Sequence, residues 1–131
     1  MRGFVVLGLL VFLAGCGASD QEQVAAAIRA SDAAWDRGDL DEGCSWMTER
    51  ARRRYMDQGI NPHARTCSEA YEFDAVELDT ADSLAYAEIV PLEPPRVTSI
   101  RVDGATAVAS YSNGDRTRLR KVNGRWLIDS F

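Results

Sequence analysis

Three cysteines are the residues whose types and surroundings most plainly announce chemistry in this chain. Cys16 closes the tetrapeptide Leu13-Ala14-Gly15-Cys16, a lipobox pattern in which small residues admit a peptidase and the thiol accepts diacylglycerol. Met1-Arg2-Gly3 is a short basic start. The apolar run 4–14 has signal-peptide length and falls short of the ~20 residues a membrane span requires. The chain therefore reads as a lipoprotein precursor: 1–15 a signal peptide, 16–20 the lipidated cysteine and a short tether, 21–131 a folded domain. An ordinary secretory signal with a chance cysteine is the alternative. Each buried CH₂ of an acyl chain contributes ~0.8 kcal/mol, so two or three chains give durable anchoring at the extracytoplasmic face of the cell membrane.

Cys44 and Cys67 remain in an exported domain, where an even pair reads first as one disulfide and second as two buried thiols. Neither sits in a C-x-x-C or Cys/His arrangement, so metal binding is not indicated. The single histidine, His63, follows Pro62 in a loop, without the sheltered partner a general base needs. Asp36, Asp39, Asp41 and Glu42 are dense enough to raise calcium, but Asp39-x-Asp41-Glu42-Gly43-Cys44 lacks the alternate ligands, central glycine and distant glutamate of a calcium loop. A solvated turn is the better reading. Arg50, Arg52, Arg53 and Arg54 form the densest basic cluster. The last three are consecutive and spread over ~200° of a helix, so they read as a solvated face rather than a converging site. No glycine-rich phosphate loop, Gly-x-Ser-x-Gly, zinc spacing or other cofactor motif occurs.

Composition bounds the rest. Loss of the leader leaves 116 of 131 residues, room for one core. The whole chain carries a net charge of −5. That balance argues against nucleic acid and against broad adsorption to anionic lipid. Arginine supplies every basic residue except Lys121, which hints at a GC-rich genome.

The elements that must position these residues fall into two blocks. Ser19-x-x-Glu22 is a capping box opening a first helix, with Val24, Ile28 and Trp35 on one face and Gly38 at its end. A second helical stretch covers about 41–56, broken near Thr48, which can cap the segment from Glu49. Thr66-x-x-Glu69 opens a third helix carrying Ala70, Tyr71 and Phe73, so a Cys44–Cys67 bridge would tie the second helix to the third. Residues 79–90 could be a fourth short helix capped by Thr80 or an extended segment; helix is preferred.

After Pro91, Pro94 and Pro95 the period becomes two. Residues 97–102, 106–112, 116–122 and 125–131 read as strands separated by Asp103-Gly104, Asn113-Gly114 and Asn123-Gly124, each a two-residue hairpin signal. Helices first and an antiparallel meander second make an α+β domain. With a two-residue last turn, Leu119 faces Ile128, Lys121 faces Trp126, Arg118 faces Asp129 and Arg120 faces Leu127. Leu119, Trp126 and Ile128 then make one apolar face, while Ile100, Val102, Ala107, Ala109, Tyr111 and Phe131 lie on the other. A bulge in the first hairpin or partial cover of the second face would resolve this, and the sequence leaves both open.

A lipobox, a helix ending in Trp35-Asp36-Arg37-Gly38-Asp39, a second helix with Leu40, Cys44 and Met47-Thr48-Glu49-Arg50-Ala51-Arg52, a second cysteine opening the next helix, and a closing Val122-Asn123-Gly124-Arg125-Trp126-Leu127-Ile128-Asp129 follow one pattern. It resembles the nuclear transport factor 2-like (SnoaL-like, cystatin-like cone) superfamily, specifically small lipoproteins of GC-rich Gram-positive bacteria. The resemblance covers about 21–131. It implies a cone-shaped fold with an apolar pocket between the first helix and the sheet, and a homodimer through the sheet. Enzymes of the superfamily place His/Asp or Tyr/Asp sets inside the cone, and the nearest stand-ins here are Asp32, Trp35, Tyr111 and Asp129. They are expected to line a pocket rather than to catalyse. The leading expectation is a non-enzymatic module binding a small ligand or an envelope protein. An isomerase or dehydratase with an acid–base pair in the cone is the second, and a structural accessory of an envelope complex the third. A hollow cone with neutral lining favours the first, a convergent acid–base pair the second, and a filled cone with an exposed apolar sheet face the third.

Overall fold

The computed structural model describes residues 17–58, 63–71 and 93–131. Residues 1–16, Phe73 and the segment 79–90 lie outside the described residues. Among the described residues no helix is long and apolar enough to cross a membrane.

Helix α1 spans Asp20–Asp36. Both halves of its capping box form: the Ser19 hydroxyl accepts from Glu22 N–H, and the Glu22 carboxylate accepts from Ser19 N–H at 2.7 Å. Gly38, with φ of 70°, closes the far end in the left-handed region that a side chain resists. Helix α2 spans Leu40–Ser45 and α3 spans Glu49–Asp57. The Thr48 side chain caps α3 by accepting from Ala51 N–H, so the break falls at the expected residue. Residues 67–71 are helical, with Thr66 accepting from Glu69 N–H. The acidic knot is spent on local structure. Asp39 caps α2, Glu42 pairs with Arg37, and Asp41 accepts from the Ser68 hydroxyl.

Strands β1 (Val97–Asp103), β2 (Thr106–Tyr111), β3 (Arg116–Val122) and β4 (Arg125–Ser130) form an antiparallel sheet in that order. The architecture is the expected α+β arrangement. The segment 46–48 extends it beyond β4: Met47 bridges Ile128 in parallel, with Thr48 N–H donating to Ile128 O and Ile128 N–H to Trp46 O.

The two apolar sets that the sequence left on opposite faces share one. The second hairpin resolves the conflict, not the first. Tyr111 N–H donates to Asp115 O and Gly114 N–H to Tyr111 O, leaving a three-residue loop with Gly114 at φ 90°. An odd loop shifts pairing parity, so Ala107 meets Leu119 and Ala109 meets Thr117. The first turn also slips by a residue, to Gly104-Ala105, because Asp103 pairs with Thr106. Asn123-Gly124 alone keeps both its expected residues and its two-residue length, with φ of 49° and 79°.

One core results: Val24, Ala27 and Ile28 of α1 against Ala107, Ala109, Leu119, Trp126 and Ile128. Ile100, Val102 and Tyr111 pack around it, whereas Phe131 is 72% exposed. A second, smaller cluster of Cys44, Met47, Ala51 and Cys67 has Trp35 and Tyr55 against it. The Cys44–Cys67 disulfide is formed there, Cα atoms 6.0 Å apart.

Candidate functional site

Four residues were expected at a pocket between α1 and the sheet: Asp32, Trp35, Tyr111 and Asp129. The structure brings together two of them. Asp32 and Tyr111 line a groove of about 640 Å³. Ile28 and Asp32 supply its helix wall, and Ile128, Phe131 and Pro95 make the opposite side largely apolar. The three-residue hairpin and the start of β3 complete it through Gly114, Asp115, Arg116 and Thr117. The odd loop therefore aligns the core and also shapes the mouth of the groove.

Asp32 is exposed, yet the protein crowding it pushes its carboxyl above the usual carboxylate range, and repulsion from Asp36 one turn on adds to the rise. One residue earlier, Ser31 is fully buried on the core side of α1, and its hydroxyl has no hydrogen-bond partner among the described residues. Asp36 is the one local mark of the first property; the rest depends on what the chain packs against the helix.

Trp35 is turned away from this groove. Its ring stacks against Tyr71 at 4.6 Å between centroids and packs on Gly43, where a Cβ would come within 2.7 Å of the indole. It belongs to the disulfide-bearing cluster.

Asp129 is also elsewhere, and its expected partner is wrong. Leu119–Ile128, Arg120–Leu127 and Lys121–Trp126 pair as expected, but Arg118 pairs with Ser130. The register shifts between Arg118 and Leu119, leaving Asp129 as the extra residue of a bulge. Displaced from the ladder, its buried carboxylate accepts from the Thr48 hydroxyl at 2.8 Å and from Arg50, with Arg120 at 3.7 Å. Burial pushes this carboxyl up, but the Thr48 and Arg50 hydrogen bonds and the charges of Arg50 and Arg120 outweigh it, and the net direction is down. Asp129 clamps the start of α3 to β4. It borders a smaller hollow of about 180 Å³ with Met47, Tyr55 and Phe131.

His63 is an exposed turn residue. Among the described residues no group of three or more His, Cys, Asp or Glu side chains is placed to hold a metal ion.

No family model matches the chain, and no curated protein matches it. Among solved structures, the chain is similar to an NTF-2 like protein of unknown function from Shewanella oneidensis MR-1. The two share 14% identity and a TM-score of 0.42, over 82% of this chain and 92% of that one. A likeness at that level carries no argument of its own, so the α+β architecture rests on the elements described above.

Proposed function

We propose that this chain is an exported lipoprotein, cut before Cys16 and held by acyl chains at the extracytoplasmic face of the membrane, whose domain takes a small ligand in the groove between α1 and the sheet. The groove carries the reading. At about 640 Å³ it falls in the size range of small-molecule sites, apolar over much of its wall with a few polar groups at fixed places. Ile28, Ile128 and Phe131 would take an apolar body, while Asp32, Tyr111 and Thr117 would orient a polar end. Asp32 adds support. A carboxylate whose proton affinity is raised on folding disfavours the folded state at neutral pH, and such a group facing a groove is a mark of function.

The same raised carboxyl in one groove with Tyr111 is what an acid–base enzyme of isomerase or dehydratase kind would use, and this is the second reading. Against it, the only histidine is exposed in a turn and Asp129 is held outside the groove.

Native mass spectrometry of the protein purified from its own membranes should reveal a co-purifying small molecule. Asp32→Asn and Tyr111→Phe should each weaken its retention about tenfold, the loss of one hydrogen bond to a charged or hydroxyl group. Turnover abolished by Asp32→Asn with affinity and stability intact would replace binding with catalysis. The anchor has its own test: Cys16→Ala should abolish lipid labelling, and persisting acyl label would remove that half of the proposal.

A further inference from the structure

We propose that the outer face of the sheet is a membrane-contacting surface, which lies on an anionic lipid leaflet through Arg101, Arg118 and Arg120. Its setting rests on the lipoprotein reading above. The strand register decides which side chains are there. With Ile100, Ala107, Ala109, Leu119 and Ile128 turned to the core, the alternate positions face away from α1. Arg118 and Arg120 then stand two residues apart on β3, about 7 Å from each other. Arg101 flanks them across Val108, which pairs with both Arg101 and Arg118. All three are exposed, and among the described residues Arg101 and Arg118 make no ion pair.

Among the described residues, acidic compensation is sparse on the strands themselves. The strands contain two acidic residues, Asp103 at the rim and Asp129, already held by Thr48 and Arg50 as well as by Arg120. Like charges on one strand repel, and among the described residues Arg101 and Arg118 have no acidic partner while Arg120 has Asp129 alone. A chain of net charge −5 thus gathers positive charge on one face of the sheet. The net balance, which argues against general adsorption to anionic lipid, does not apply to that face.

Its charge and position select the occupant. Half-buried Val108 lies between Arg101 and Arg118, and half-buried Leu127 pairs with Arg120. Guanidinium groups spread over one sheet face fit a surface of phosphate headgroups, to which each arginine contributes. A two-fold contact through this face would instead set arginine against arginine. Position agrees: α1 starts at Asp20, bonded to Lys121 and Trp126, and Gln21 donates to Ile100 O. Only three residues, about 10 Å extended, separate Cys16 from that helix. The acyl chains would therefore enter the bilayer beside the hairpin ends of the same sheet.

Arginine footprinting with phenylglyoxal, read by mass spectrometry, tests this on the acylated protein in phosphatidylcholine vesicles with or without about a third phosphatidylglycerol. Arg101 and Arg118 should react several-fold more slowly on the anionic vesicles, Arg29 on α1 equally on both, and high salt should erase the difference. Arg101→Gln with Arg118→Gln should reduce the face-down population about 25-fold, at about fivefold per arginine, seen as lost protection of Arg120. Equal reactivity of Arg101 and Arg118 on both vesicles overturns the proposal. So does protection that follows protein concentration or an added acidic polypeptide instead of lipid charge, which would assign the face to a second copy or to a protein partner. Failure of the lipoprotein reading is seen separately, as missing acyl mass on Cys16. The unacylated chain should even then show salt-sensitive protection on anionic vesicles alone.

Discussion

At the scale of single residues, the side chains that matter most are those whose surroundings contradict their chemistry. Asp129 is a buried carboxylate at a bulge, satisfied by Thr48, Arg50 and Arg120. Asp129→Ala leaves the Thr48 hydroxyl and two guanidinium groups without their acceptor and should cost about 2–3 kcal/mol, kept below the full buried-pair value because Arg50 and Arg120 are largely exposed. Its pKa is lower folded than unfolded, so its stabilisation is present above the ordinary aspartate range near 4 and is lost as pH falls through the folded value. Urea titrations across acid pH should show a shallower acid loss in Asp129→Asn than in the parent; parallel curves would rule out this linkage. Ser31 has the opposite logic. Its buried hydroxyl has no partner among the described residues, so Ser31→Ala removes an unmet desolvation cost and should raise stability by about 1 kcal/mol in the same measurement. A loss of comparable size would mean that the hydroxyl has an acceptor.

At the scale of elements, the second hairpin holds the fold together. Gly114 at φ 90° makes the loop three residues long, and the parity it sets keeps Leu119 under Ala107 while Arg118 and Arg120 face outward. Deleting Asn113 leaves Tyr111 opposite Asp115 across the two-residue loop Ser112-Gly114, so Leu119 stays under Ala107 and the arginines of β3 stay outward. That variant should fold with the same sheet, whereas Gly114→Ala, which strains one dihedral, should cost about 1–2 kcal/mol. Circular dichroism and urea titration of the two would separate loop length from strain, and an unfolded Asn113 deletion would refute the parity argument. This is also where the sequence stops being legible. Ser19-x-x-Glu22 and Thr48 mark helix ends through bonds made within a turn, and they read correctly. Asn113-Gly114 supports a two-residue turn and a three-residue one with equal ease, and the choice follows from which faces must be buried together. The bulge at Asp129 has no local mark, and its partners Thr48 and Arg50 lie 81 and 79 residues away. The groove was half legible: Asp32 and Tyr111 line it, while the apolar wall of Pro95 and Phe131 and the turn residues came only with the fold.

At the scale of the molecule, two clusters with different means of support are joined. The sheet and α1 bury a continuous apolar core, while among the described residues the helical side buries a smaller cluster of Cys44, Met47, Ala51 and Cys67, with Trp35 and Tyr55 against it. Small side chains dominate that cluster, so among the described residues it hides less apolar surface to offset the entropy of fixing α2, α3 and the helix containing Cys67. The disulfide supplies part of the difference by closing a loop with a sequence separation of 23 residues, worth about 3 kcal/mol in the chain-entropy model. The loss of that bridge should therefore be felt unevenly. In a Cys44→Ala and Cys67→Ala double variant the melting temperature should fall by roughly 10 °C, taking about 3–4 °C per kcal/mol at this size. Hydrogen exchange should quicken first in α2 and α3, with β2 and β3 amides nearly unchanged at moderate temperature. The groove draws its walls from α1, the sheet and the second hairpin, so its ligand retention should persist in the double variant. A uniform rise in exchange would mean that the two clusters open as one unit and that Asp129, by joining α3 to β4, couples them more tightly than their packing implies. A melting temperature unchanged by the double substitution would show that the helical side stands without its covalent tie.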